Sequence, residues 1–340
     1  MRAVVLRQAG PPEALHVEDV DMPVCGRGDV LIEVRACGVA YRDVVERNGT
    51  YQRDVVFPLI MGLEISGVIA ELGAEVRDLK VGDHVCTKAF SSCGRCYLCR
   101  SGRETTCWER VPVRGGYAEY VALPWDAVLK VPDSVPFEQS CGLGPSAGVA
   151  LNAVRDTLHV TLGDWVLVTG ASGGVGFPAM QLAKLAGARV IAATRSRAKG
   201  EMLLQYGADH GAISGSPDFV SHVRAMTDGR GVDAVVDNVG SRVFAECYDS
   251  LAVHVRYAFV GQLYRDSIEI NPARIFFKRA ALFGVGSVSR AQLTAVIDLA
   301  SRGLLTTVIS SVMPLEAAAE AHRIVEDGLS LGRVILDPRS

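Results

Sequence analysis

Up to about residue 130 the apolar residues come in short alternating runs, as in DVLIEVRACGV and ISGVIAELGAEV, with glycine and proline between them. A period of two puts every second side chain on one face, so this stretch predicts a strand-rich domain of the partly open barrel kind. From about residue 147 the pattern changes to buried β runs each followed by a helical segment: DWVLVTG then PAMQLAKLAG, ARVIAAT then AKGEMLLQYG, VDAVVDNVG then SRVFAECYDSLA. That alternation implies right-handed βαβ units and a parallel sheet covered by helices on both faces. After RAALFGVGS comes a further helix, SRAQLTAVIDLASRG, and then GRVILDP, a short strand suited to rejoin the first domain. The expected fold class is α/β, with one domain over residues 1–146 and 288–340 and a doubly wound parallel-sheet domain over residues 147–287.

Composition narrows the function. With 340 residues, 49% of them hydrophobic, the chain is long enough for two cores. A net charge of -3 gives no general attraction for nucleic acid or an anionic membrane, so a small-molecule substrate is the expected partner. The stretch MRAVVLRQAGPPEALHVEDV is broken by charge and proline before any apolar run reaches the length of a signal peptide or a membrane span. Nine cysteines, five of them scattered singly (Cys25, Cys37, Cys86, Cys141, Cys247), do not resemble a disulfide framework, which points to a reducing compartment and a cytoplasmic protein.

The most informative stretch is VLVTGASGGVGFPAMQLAKLAGARVIAATRSRAKG. A strand from Trp165 to Thr169 runs into Gly170, Ala171, Ser172, Gly173, Gly174, Val175 and Gly176, and then directly into an amphipathic helix. Gly173 and Gly174 would let the backbone approach a pyrophosphate, and Gly176 would permit close helix packing. Strand, turn, helix and second strand occur in order, which makes this a dinucleotide site and not merely a tight turn. NAD sites place an acidic residue at the end of the second strand for the ribose 2′-OH; this chain has Thr194, Arg195, Ser196, Arg197 and Lys199 there. Hydroxyls and cations without a carboxylate suit the 2′-phosphate of NADPH.

Together the two halves resemble the medium-chain dehydrogenase/reductase superfamily, whose chains pair a GroES-like barrel with a Rossmann domain; VGDHV and the closing GRVIL belong to the resemblance. In the zinc alcohol dehydrogenases of that superfamily the spacing CxxCxxCx7C is a structural zinc lobe, and Cys93, Cys96, Cys99 and Cys107 match it. Four thiolates close a tetrahedral shell, so one structural zinc is implied, bracing residues 93–107 without acting as a Lewis acid. The resemblance also locates the family's catalytic zinc, and there the chain departs from it. GVAYRD has Ala40 at the first ligand position, MGLEISG has Leu63 at the second, and GLGPSAGVAL offers Pro145 or a neighbour at the third. None of these is a ligand; Cys37 and Cys141 are near in sequence but off register.

Hydride addition to an isolated carbonyl makes a localised alkoxide that a zinc would stabilise. Addition to a C=C conjugated with a carbonyl, thioester or quinone gives a delocalised enolate, for which hydrogen bonds suffice. The expectation is therefore an NADPH-dependent reductase of an activated C=C bond, resembling quinone oxidoreductases and acryloyl-coenzyme A reductases. An imine or iminium reductase and a non-catalytic NADPH-binding protein are the alternatives. Tyr51, in NGTY, matches a family position that often carries an active-site tyrosine; it is a candidate proton or hydrogen-bond donor, or else a supporting loop tyrosine. Tyr41 and Arg42, beside Ala40, are expected to face the cleft, Arg42 serving an anionic group or an enolate, or else pairing with Asp43 or Glu64. Asp43 and Glu64 read as scaffolding. Asn238, Gly261 and Val285 fall at successive strand ends where the nicotinamide ribose and carboxamide belong. Arg333, in LGRVIL, matches a position that reaches the pyrophosphate, its alternative being a surface arginine. A homodimer or homotetramer is the expected assembly.

Overall fold

The computed structural model describes all 340 residues, and the chain divides into two compact units. The first comprises Met1–Gly148 and Ser287–Ser340; the second is Val149–Gly286. No helix is long and apolar enough to cross a membrane.

The alternating runs form the strands of the first unit. Its seven-stranded sheet is built on Asp29–Gly38 and Glu64–Leu72, which pair antiparallel from Val30–Leu72 to Gly38–Glu64. Gly67 is required in this ladder, because a Cβ there would lie 2.1 Å from the Glu33 carbonyl oxygen. Strands His84–Thr87 and Val128–Lys130 extend the sheet beyond Glu64–Leu72. Along the other edge of Asp29–Gly38, Tyr120–Pro124 pairs with residues 29–33, and Arg333–Asp337 pairs antiparallel with residues 37 and 38 and carries Ile309–Pro314 in parallel. A smaller sheet joins Leu15–Asp19, Arg2–Leu6 and Leu59–Ile60. Inward-facing residues of both sheets, among them Val4, Leu6, Ile32, Val34, Ile65 and Val121, share one core.

In the second unit six parallel strands run in the order His210–Ile213, Arg189–Thr194, Trp165–Val168, Val232–Asp237, Leu251–Phe259, Ala281–Gly284. In chain order this is 3-2-1-4-5-6, so the direction of winding reverses between Trp165–Val168 and Val232–Asp237. Ligands of open parallel sheets bind outside the carboxyl ends of strands at such a reversal. The glycine turn and Asn238 leave the sheet there.

Candidate functional site

The second unit builds its site at that reversal. Gly170 adopts φ of 55°, and a Cβ at Gly176 would meet the Gly170 carbonyl oxygen at 2.2 Å, so only glycine lets the helix Gly176–Leu185 start against the turn. Gly173 uses its own N–H on Gly170 O at 2.9 Å, which leaves anion binding to the N–H groups that follow, from Gly174 and Val175. Ser172 is half-buried in the same turn. Thr169, just past the strand, joins the two sides of the reversal. Its hydroxyl donates to Asp237 at 2.7 Å and accepts the Asn238 N–H, and its carbonyl accepts the Asn238 amide at 2.8 Å. This leaves Asn238 Oδ1 buried without a partner, an acceptor suited to a ribose hydroxyl. Gly261 packs on Asn238, its missing Cβ only 2.5 Å from the Asn238 carbonyl oxygen, and Val285 spends its N–H on Phe259.

At the end of the second strand Thr194 is buried and Arg195 exposed. Ser196 caps the helix Arg197–Gln205 by accepting the Lys199 N–H, so its hydroxyl has a structural duty as well. Burial, and then the neighbouring charge of Arg195, lowers the Lys199 pKa.

In the first unit the positions without ligands are apolar. Ala40 and Leu63 are buried in the shared core with Met61 and Ile65. Glu64, immediately after Leu63, is buried; burial raises its pKa, and Arg333 and Ser146 draw it part of the way back. Arg333 is therefore no surface arginine: it donates to Glu64, to Ser146 and to the Val39 carbonyl. Its observed occupation is the counter-charge of Glu64, because a lone buried carboxylate would be far costlier than the pair.

Arg42 also has a different partner from the two considered in sequence. It lies on the helix Tyr41–Arg47, whose geometry brings residue i+4 beside it, and its Nε donates to buried Glu46 at 2.8 Å rather than to Asp43 or Glu64. Glu46 accepts Arg114 as well, at 3.1 and 3.2 Å. The Arg42 guanidinium lies 5.4 Å from the centroid of the half-buried Tyr51 ring and 5.1 Å from that of Phe90. The Arg110 guanidinium is 5.0 Å from the same Phe90 ring. Tyr41 opens the helix, half-buried.

Asp43 holds the start of that helix by accepting the Ala40 N–H at 2.9 Å. It also accepts the Tyr117 hydroxyl at 3.3 Å, and that hydroxyl lies 3.0 Å from His322 Nε2. Burial pushes Asp43 up to about 7, although the Ala40 N–H opposes the shift. Burial, and then Arg47, lowers His322 to about 3. Sequence reading missed Glu46, Arg110, Arg114, Tyr117 and His322. The i,i+4 spacing of Arg42 and Glu46 was an available signal, whereas Tyr117 and His322 are 205 positions apart and carry none.

Cys93, Cys96, Cys99 and Cys107 come together, their sulfurs all within 4.8 Å of one another. Separations of 4.0, 3.5 and 3.9 Å bracket the roughly 3.8 Å edge of a tetrahedron with metal–sulfur bonds of about 2.3 Å. Backbone N–H groups of Cys96, Cys93 and Glu109 point at these sulfurs, as thiolate ligands require. The N–H groups of Cys99 and Trp108 outweigh desolvation and hold Cys96 down to about 6. The donor set and its geometry fit a metal ion.

Comparison with known proteins is consistent with both units. Residues 26–133 match the family described as Alcohol dehydrogenase GroES-like domain, and residues 174–302 match Zinc-binding dehydrogenase. The chain is 31% identical over 343 residues to the acryloyl-coenzyme A reductase of Sulfurisphaera tokodaii, covering 99% of this chain and 100% of the relative. It is 33% identical over 342 residues to the alcohol dehydrogenase of Geobacillus stearothermophilus, with 99% of each covered. The crystal structure of AibC superposes with a TM-score of 0.91 at 38% identity, covering 99% of this chain and 95% of that one.

The Asp43 environment gives a pH dependence of definite sign. A carboxyl raised from 3.8 to about 7 on folding binds more protons when folded, so the stability it contributes is complete below about pH 4 and is lost as pH rises to about 7. Asp43→Asn keeps an acceptor for Ala40 and cannot ionise. Denaturant titrations should show the variant gaining on the wild type by roughly 1–4 kcal/mol between those pH values. His322 has the opposite sign, but it is present in both proteins and cancels to first order. A difference that does not change with pH would refute the assignment.

Proposed function

The chain belongs to the medium-chain dehydrogenase/reductase superfamily, and from that membership we propose that it is an NADPH-dependent reductase of activated C=C bonds that works without a catalytic zinc. It is an oxidoreductase of that class. Its identity to an acryloyl-coenzyme A reductase and to an alcohol dehydrogenase is nearly the same, so identity does not choose the reaction. The residues at the proposed reaction centre support the reading. Ala40 and Leu63 are apolar and buried, and Pro145 has no side-chain donor, so nothing at these positions would polarise an isolated carbonyl.

NADPH, when bound, supplies the hydride. The turn from Gly170 through Ser172, Gly173, Gly174 and Val175 to Gly176 would hold its pyrophosphate. Thr194, Arg195, Ser196 and Lys199 would hold its 2′-phosphate, and the unpartnered Asn238 Oδ1 a ribose hydroxyl. Gly261 and Val285 would close the nicotinamide end. On the substrate side, the Tyr51 phenol donates to the enolate oxygen or returns the proton to the α-carbon. Arg42, lying over that ring, places positive charge where negative charge develops, and Tyr41 completes this wall. Cys93, Cys96, Cys99 and Cys107 would hold one structural zinc, which would brace their loop.

Binding, turnover and metal content each test this reading. NADPH should bind more tightly than NADH, and Arg195→Ala should narrow the gap by about 1–3 kcal/mol if the guanidinium makes a charge-assisted bond to phosphate; equal dissociation constants in the wild type would remove the basis for NADPH. NADPH oxidation is then followed against enones, quinones, enoyl thioesters and imines. Elemental analysis should give one zinc per chain. Chelating it should lower heat resistance while leaving turnover per folded molecule, and Tyr51→Phe should slow reduction by roughly ten- to a thousand-fold with NADPH affinity little changed. Turnover abolished by chelation in folded protein would rule out the zinc-free mechanism, and reduction of imines alone would replace the C=C reading.

A further inference from the structure

We propose that the substrate carries a carboxylate close to its reducible bond, and that Arg110 and Arg42 bind that carboxylate beside the ring of Phe90. This rests on the conjugate reduction proposed above and specifies the substrate class. Two guanidinium groups lie 5.1 and 5.0 Å from the centroid of one half-buried aromatic ring. The ring attracts each guanidinium, but the charge of Arg42 opposes that of Arg110, and an anion bound to the two would relieve that repulsion. The one carboxylate paired within the group is Glu46, which is buried and shared by Arg42 and Arg114. Arg110 forms no ion pair; its Nη1 donates to the Thr105 carbonyl at 3.0 Å, which fixes the guanidinium in place. Arg42 and Arg114 thus share one carboxylate while Arg110 has none, and exposed Arg53 adds further positive charge nearby. Arg42, Arg114, Phe90, Arg110 and Tyr51 all keep some solvent exposure, so a ligand can reach them.

The position of the cluster selects among anions. Phosphates of a coenzyme A ester and a carboxylate on the acyl part offer the same charged oxygens to an arginine fork. Arg42 lies over the Tyr51 ring, however, within one side chain of the proposed proton donor. The pantetheine arm would carry phosphates far beyond that distance, whereas a carboxylate within a few carbons of the double bond falls on the cluster. In the reaction NADPH gives its hydride to the β-carbon and a proton is added to the α-carbon. The products are NADP⁺ and a saturated acid whose carboxylate is unchanged.

The test uses the zinc-loaded full-length protein and a matched pair, acetylacrylate and its methyl ester, which share an enone, differ by one charge and carry no phosphate. The ratio of kcat/KM for acid over ester should fall at least about tenfold in Arg110→Ala, with Arg110→Lys between the two because it keeps charge and loses the fork. A ratio unmoved by Arg110→Ala overturns the proposal. So does a variant that loses zinc by elemental analysis while keeping its preference for the acid, since Arg110 would then be a counter-charge for the thiolates. A calorimetric titration with levulinate and methyl levulinate, the saturated and unreactive counterparts, is independent of turnover. Wild-type protein should bind levulinate more tightly than the ester, and Arg110→Lys should reduce that difference. Preferential binding of levulinate with no reduction of either enone would discard the reductase reading and keep the carboxylate subsite. Levulinate bound no better than its ester by the wild type would discard the subsite whatever the turnover.

Discussion

One buried ion pair fastens the first unit together. Glu64 and Arg333 are 269 positions apart, each starts a strand, and both are withdrawn from water. Desolvating two such charges costs several kcal/mol each, so the pair is tolerable only with the extra hydrogen bonds that Ser146 and the Val39 carbonyl provide. Removing one partner of a buried pair typically costs about 3–5 kcal/mol, because the other is left alone. The strand of Arg333 pairs with Cys37 and Gly38, and Glu64 follows Leu63, so the pair sets both ends of the segment that contains Ala40, Asp43, Arg42 and Tyr51. A feature of this kind contributes little net stability and a great deal of geometric definition.

Under the proposed reduction, that segment would dispense with one kind of electrophile and rely on another. Apolar side chains stand where donors for a metal would be needed, while hydroxyls and guanidinium groups gather a few residues away. Such groups stabilise charge spread over several atoms better than charge localised on one oxygen, because each contributes a hydrogen bond and none forms a strong coordinate bond. On the proposed reading the choice of acceptor follows from the hardness of the available partners, and the same barrel would serve either chemistry by exchanging a few side chains.

Much of this was legible in the chain. Periods of two and of strand–helix alternation marked the two kinds of sheet, since burial on one face or both leaves a direct imprint on local order. The glycine turn was readable because Gly176 meets Gly170 six positions away, and the cysteine cluster because all four thiols lie within fifteen residues. Arg42 was misjudged in its partner because helix geometry, and not sequence adjacency, decides which carboxylate it meets. The Asp43, Tyr117 and His322 network and the Glu64–Arg333 pair had no local signature at all. They join residues brought near only by the completed sheet, and no spacing rule reaches that far.

The sheet order of the first unit also bears on how the protein is made. The strand Arg333–Asp337 pairs with residues 37 and 38, yet the whole of the second unit lies between them in the chain. On a ribosome the second unit, whose strands and helices are contiguous in sequence, emerges complete while the first still lacks its last strands. Until those residues appear, the strand Asp29–Gly38 has open backbone groups near its end, and Glu64 has no counter-charge. The nascent first unit is thus an exposed sheet edge carrying a buried acid without its base, a species prone to pair with other chains. Its completion waits on the slowest contacts to form, those of greatest sequence separation.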